Sequence, residues 1–133
     1  MVIDTSAILA ILQDEPERSD FIRAIDRADA RVLSSVTLVE TSIALEHRYG
    51  PAGVRTLDLF LTRAGVEIVD VDRAQADLAR HAHARFGQGH HEAALTIGDC
   101  FSYALARTTG QPLLAKGGGF ARTDLRLADV WPA

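Results

Sequence analysis

Three carboxylates stand out because of their neighbours: Asp4, Glu40 and Asp99. Asp4 follows the apolar pair Val2-Ile3 and precedes two hydroxyl residues, Thr5 and Ser6. An aspartate so placed either caps a helix or ligates a metal, with Thr5 or Ser6 orienting it. Glu40 has Val36, Ile43 and Ala44 three and four positions away, so on a helix it falls in the apolar stripe. A carboxylate buried without a partner is strongly disfavoured, so Glu40 needs either an arginine such as Arg31 or Arg48, or a cation. Asp99 is the one acid in Gly98-Asp99-Cys100-Phe101-Ser102-Tyr103-Ala104-Leu105-Ala106. It reads as a helix cap after a break at Gly98, or as a ligand.

The three are better explained together than singly. Each comes near the start of a helix, where the positive end of the dipole favours a carboxylate. Clustered without a cation, like charges would keep one or more of them protonated. A hard divalent ion relieves that repulsion, and oxygen-only ligands favour Mg²⁺ or Mn²⁺ over zinc. The histidines offer a poorer metal site. His81 and His83 diverge on a helix, and His90-His91-Glu92 lacks the HExxH spacing. There is no G-x-S-x-G, P-loop or G-x-G-x-x-G, and Asp4-Thr5-Ser6 lacks the second aspartate of a D-x-D phosphatase.

The elements that must hold these acids alternate in type. Short apolar strands are expected at Val2-Ile3, at 31–34, at 66–69 and at 111–115, with a final edge strand at 127–130. Helices are expected at 7–13, 17–29, 36–49 (capped by Ser35), 52–64, from Asp72 to about Arg85, and 93–109 with a break near Gly98. The pattern implies an α/β fold, with a short, mostly parallel central sheet flanked by helices on both faces. Sites in such folds lie beyond the carboxyl ends of the strands, at a topological switch point. Asp4 ends the first strand. Lys116 and the loop Gly117-Gly118-Gly119 end the strand containing Leu113 and Leu114. Lys116 therefore stands where a cation would meet substrate, and equally where a solvated strand-end lysine would sit.

With 133 residues, 47% hydrophobic and 24% charged, the chain is expected to form one domain, 1–133. The single cysteine, Cys100, cannot form an intrachain disulfide. No basic-then-apolar leader precedes Asp4 and no apolar run reaches membrane-spanning length, so the expected location is the cytoplasm. A net charge of −4 argues against a non-specific nucleic-acid coater. It leaves room for a nuclease with local arginine contacts, since thirteen of the fourteen cationic side chains are arginine.

In order along the chain, Met1-Val2-Ile3-Asp4-Thr5-Ser6-Ala7, Val39-Glu40, Gly98 to Ala106, Pro112-Leu113-Leu114-Ala115-Lys116-Gly117, and Phe120 with Thr123-Asp124 resemble the VapC toxins of the PIN-domain family. The resemblance spans almost the whole chain. It implies a PIN-like domain, a Mg²⁺-dependent endoribonuclease acting as a homodimer, and a VapB-type antitoxin that silences it. The family's catalytic acids fall on Asp4, Glu40 and Asp99. The substrate expected is RNA, structured or single-stranded in loops, because side chains cannot read the deep major groove of duplex RNA. There are two departures. Gly118-Gly119 stand where the family commonly has an acid, which makes Asp124 a candidate partial substitute. The loop 86–91 is less basic than usual. Two other readings stay open: a PIN fold that binds RNA or antitoxin without cutting, and a receiver-like signalling domain, which would need an acidic pair beside a mid-chain aspartate.

Overall fold

The structure is a computed structural model describing residues 1–130. Four strands form one sheet: β1 (Val2–Ile3), β2 (Val32–Ser34), β3 (Glu67–Val69) and β4 (Leu113–Leu114). All pair in parallel, in the order β3-β2-β1-β4. Six helices make the crossovers: α1 (Thr5–Leu12), α2 (Arg18–Arg27), α3 (Ser35–Tyr49), α4 (Pro51–Arg63), α5 (Arg73–Phe86) and α6 (Ile97–Thr109). The α/β reading of the sequence is met.

The strands are two or three residues long, yet they divide the core. Successive strand side chains point to opposite faces. Val2, Val32 and Leu113 join Ala79, Ala82, Phe86, Tyr103 and Leu105 from α5 and α6. Ile3, Leu33 and Leu114 join Ile8, Ile11, Phe21, Ile25, Leu45, Leu57 and Leu61 from α1 to α4. Helices thus cover both faces, as expected for a parallel sheet.

From β1 the chain winds outward through β2 to β3, then returns to place β4 on the other side of β1. The switch point lies between β1 and β4, and Asp4 emerges there, its backbone N–H donating to Leu114 O at 3.0 Å.

The sequence expectations shift in four places. Ser34, not Ser35, caps α3 through its hydroxyl. α6 begins at Ile97 rather than Ala93, because Thr96 supplies a cap that Gly98 does not; Gly98 lies inside the first turn without breaking it. The expected edge strand at 127–130 reduces to one parallel bridge between Leu127 and Leu113, with Leu113 N–H donating to Arg126 O and Ala128 N–H to Leu113 O. A two-residue β4 offers too little free edge for more. On α3, the side chains facing inward are Thr37, Thr41 and Leu45, whereas Val39 and Ile43 are 56% and 64% exposed. Glu40 is therefore half-buried at the edge of the packed face. No helix among the described residues is long and apolar enough to cross a membrane.

Candidate active site

Asp4 is 2% exposed and caps α1. Its Oδ2 accepts from Ser6 N–H at 3.0 Å and from Ser6 Oγ at 2.8 Å. Its Oδ1 accepts from Ser102 Oγ at 2.6 Å, and Ser102 is in turn 3.3 Å from Thr37 Oγ1. Ser6 Oγ also accepts from the backbone N–H of Lys116 at 2.9 Å, which ties the end of β4 to the start of α1. The capping and ligand readings of Asp4 are thus compatible: Oδ2 accepts two hydrogen bonds, whereas Oδ1 accepts one and keeps a lone pair.

Glu40 comes from the middle of α3. Its Oε1 accepts from Thr5 Oγ1 at 2.6 Å, and Thr41 Oγ1 donates to Thr5 Oγ1 at 3.1 Å. Its Oε2 lies against Gly98 on α6. The arginine partner does not materialise. Arg31 donates to the carbonyls of Ile25, Ala64 and Asp26, and Arg48 lies over the Tyr49 ring. Among the described residues Glu40 has no ion pair.

Asp99 is the third residue of α6. Its Oδ2 accepts from Thr96 N–H at 2.9 Å while Thr96 Oγ1 accepts from Asp99 N–H at 3.2 Å, a reciprocal capping box. Capping therefore occupies one carboxylate oxygen; the other takes no hydrogen bond among the described residues.

The carboxyls feel one another's charge. Burial raises the Glu40 carboxyl above its ordinary value, and the charges of Asp4 and Asp99 add to this against the Thr5 hydrogen bond. Burial also raises Asp99, with Asp4 contributing, against the bonds to Thr96. Carboxylates that destabilise one another's charge, with donors that are all oxygen, suit a hard divalent cation. As placed, no three or more Asp, Glu, His or Cys side chains among the described residues have closed to a ligand cage. Burial and the charge of Asp99 push the neighbouring Cys100 thiol up to about 11. The histidine loop lies elsewhere: His83 and His90 stack edge to face, and His91 Nδ1 accepts from Ala93 N–H.

Two candidates have other partners. Lys116 Nζ is held by Glu15 and Glu17, 3.2 Å from the latter, rather than by the three acids. Asp124 Oδ1 accepts from Tyr103 OH at 2.7 Å, and its Oδ2 lies 3.3 Å from Arg85 and 3.7 Å from Arg107. Four contributors were missed from sequence: Thr37, Thr41, Ser102 and Gly98. The threonines carried a signal, since Thr37 and Thr41 share helical spacing with Leu45, and Ser102 is the one serine or threonine between Gly98 and Ala106.

The chain is an α/β domain with a short parallel sheet, and the PIN domain profile matches residues 1–125, so it belongs to the PIN-domain family. Within that family it is similar to the VapC ribonucleases. Ribonuclease VapC of Mycolicibacterium smegmatis is 52% identical over 125 residues, covering 94% of this chain and 97% of that one. In fold it is similar to VapC20 of Mycobacterium tuberculosis, a sarcin–ricin loop cleaving toxin, with a TM-score of 0.75 at 20% identity over 93% of this chain and 95% of that one. It is similar also to a chain of VapBC2 from Rickettsia felis bound to a DNA fragment from its promoter, with a TM-score of 0.74 at 17% identity over 98% of each chain.

Proposed function

We propose that this chain is the ribonuclease toxin of a type II toxin–antitoxin pair, with Asp4, Glu40 and Asp99 holding the Mg²⁺ or Mn²⁺ ion it needs to hydrolyse an RNA phosphodiester bond. The observation that carries the site is a buried Asp4, held by Ser6 and Ser102, whose charge adds to burial in raising both Glu40 and Asp99. A divalent ion bound there would polarise the phosphate and make water a better nucleophile.

The chain's own residues divide the remaining work. Ser6 and Ser102 fix the two Asp4 oxygens from opposite sides. Thr5, steadied by Thr41, fixes one Glu40 oxygen and leaves the other for the ion or for the attacking water. Asp99 keeps one oxygen in the α6 cap and directs its charge at the positive end of that helix.

The substrate is RNA presented as single-stranded or looped structure. The partner is a VapB-type antitoxin, by analogy with the complex of the Rickettsia felis protein. A second copy of the chain is a further partner, supported by the apolar side chains of Val39 and Ile43 exposed on α3; sedimentation at micromolar concentration tests it, and a monomer counts against it.

The deciding experiment is incubation of purified protein with a panel of structured RNAs, with Mg²⁺, with Mn²⁺ and with chelator. Metal-dependent cuts in loops are expected. RNA binding without cleavage at any metal concentration would favour the non-cutting module, a reading that the glycines at 118 and 119 support.

A further inference from the structure

Gly98 occupies the second position of α6, between the capping residue pair Thr96 and Asp99. Its backbone is not in the left-handed region, so conformation does not demand glycine there. Glycine inside a helix is less favourable than alanine. What demands it is space. A Cβ on Gly98 would lie 1.8 Å from Glu40 Oε2, 2.5 Å from its carboxyl carbon and 2.7 Å from Oε1. No heavy atom can come so close, so any side chain at 98 must displace the Glu40 carboxylate.

Other tight glycines differ in kind. At Gly53 the obstructing atoms are the Leu45 backbone, and at Gly119 the Ala93 carbonyl oxygen. Those positions constrain how segments pack. At Gly98 the obstruction is the mobile end of a side chain on another helix, which can swing aside at small cost to the fold. In the single chain the neighbours Val39, Ile43 and Ile97 are all exposed and do not hem the carboxylate in.

We infer that Gly98 is a positioning residue for Glu40: its bare Cα is the floor that lets the α3 carboxylate lie on the first turn of α6, beside Asp99 and facing Asp4. With a methyl group there, Glu40 is pushed outward, loses its hydrogen bond from Thr5, and leaves the other two acids to hold the ion alone. The inference rests on the reading that Glu40 belongs to the metal site, and goes beyond it in assigning the distance between α3 and α6 acids to a residue with no side chain.

The test is Mn²⁺ binding by calorimetry to the wild-type protein, Gly98→Ala, Glu40→Ala and the double variant, with the metal-free melting temperature of each. Gly98→Ala should bind Mn²⁺ about 10–100-fold more weakly, while melting at or above the wild-type temperature. In the Glu40→Ala background the same substitution should cause no further loss, because the group it displaces is gone. Should Gly98→Ala alone fail to fold, the double variant must fold, since the clash has been removed; a misfolded double variant overturns the inference. Wild-type affinity in Gly98→Ala, or an equal further loss in the Glu40→Ala background, also overturns it. If Glu40→Ala weakens binding and Gly98→Ala does not, the site stands and the role of Gly98 falls. If Glu40→Ala itself binds Mn²⁺ normally, both fall.

Discussion

Ser102 donates a 2.6 Å hydrogen bond to Asp4 Oδ1 across a sequence separation of 98 residues. It is the contact by which α6 fixes the acid at the end of β1. Ser102 is fully buried, and Thr37 on α3 leans on the same hydroxyl at 3.3 Å. Three elements that meet only after folding thus converge behind one carboxylate.

Ser102→Ala should therefore affect both stability and activity. Two buried polar groups lose a partner, which costs about 1–3 kcal/mol. Losing an orienting hydrogen bond to a metal ligand costs about 10–100-fold in metal affinity or activity. Denaturant unfolding and a cleavage-rate titration with Mg²⁺ separate the two effects. A stability loss with unchanged cleavage would make the bond purely structural.

Asp4→Asn and Asp99→Asn should each abolish cleavage with the fold retained. Asparagine keeps an acceptor oxygen, so the Ser6 cap of α1 and the Thr96 cap of α6 can persist while the charge is removed. Asp99→Ala should in addition lose about 1 kcal/mol, through the capping box. Circular dichroism and unfolding check the fold. Wild-type Mg²⁺-dependent activity in either asparagine variant would refute the site assignment.

The metal-free protein should lose stability as pH rises through the range where Glu40 and Asp99 ionise. Both are raised in the folded state above ordinary values of 4.5 and 3.8, first by burial. Below those values both states carry the proton and nothing is lost. Between the ordinary and the raised value the folded chain holds protons that the unfolded chain has released, so stability falls with pH and stays lower above. Glu40→Gln should flatten this slope and raise the metal-free melting temperature at pH 7, and Mn²⁺ should raise that of the wild type. An identical slope in Glu40→Gln would show that Glu40 ionises without cost.

The fold was legible where short apolar dipeptides met helix caps. Val2-Ile3, Val32-Leu33 and Leu113-Leu114 read as strands because each feeds both cores, and Asp4 and Asp72 were readable as caps from their position before helical runs. The packed face of α3 was not legible from hydrophobicity. Thr37 and Thr41 turn inward to serve Ser102 and Thr5, leaving Val39 and Ile43 outside. A polar network behind a site inverts the usual pattern, because hydroxyls are buried when they have carboxylates to orient. Gly98 was read as a breaker for a related reason: its role is volume, which spacing does not express.

Lys116→Ala should change the cleavage rate by no more than about threefold. The ammonium is engaged by Glu15 and Glu17, and the hydrogen bond to Glu15 raises its affinity for the proton. Exposed pairs of this kind contribute little. The residue's tie to the site is its backbone N–H on Ser6 Oγ, which the substitution preserves. A loss of a hundredfold or more would mean that the side chain leaves its glutamates to meet the phosphate.

The glycine loop can be tested for metal binding at two adjacent positions with opposite steric prospects. A Cβ at Gly118 meets nothing within 4 Å, whereas one at Gly119 lies 2.8 Å from the carbonyl oxygen of Ala93, a backbone atom that cannot swing away. Gly118→Asp should be accommodated, and if the loop faces the ion it should lower the Mg²⁺ concentration for half-maximal cleavage. Gly119→Asp should lose stability by shifting the 93–95 segment, whatever it does for the metal. Asp124 is the other candidate for this duty. Its oxygens are engaged by Tyr103, Arg85 and Arg107, and burial together with Asp124 pushes the Tyr103 hydroxyl up to about 12. Asp124→Asn should accordingly leave the Mg²⁺ titration where it is in the wild type and lower the melting temperature. Titrations of cleavage rate for the wild type, Gly118→Asp and Asp124→Asn, run side by side, decide between loop and ion-pair roles. A Gly118→Asp curve superimposable on the wild type would remove the loop from metal binding, and an Asp124→Asn curve displaced about tenfold or more to higher Mg²⁺ would return Asp124 to the site.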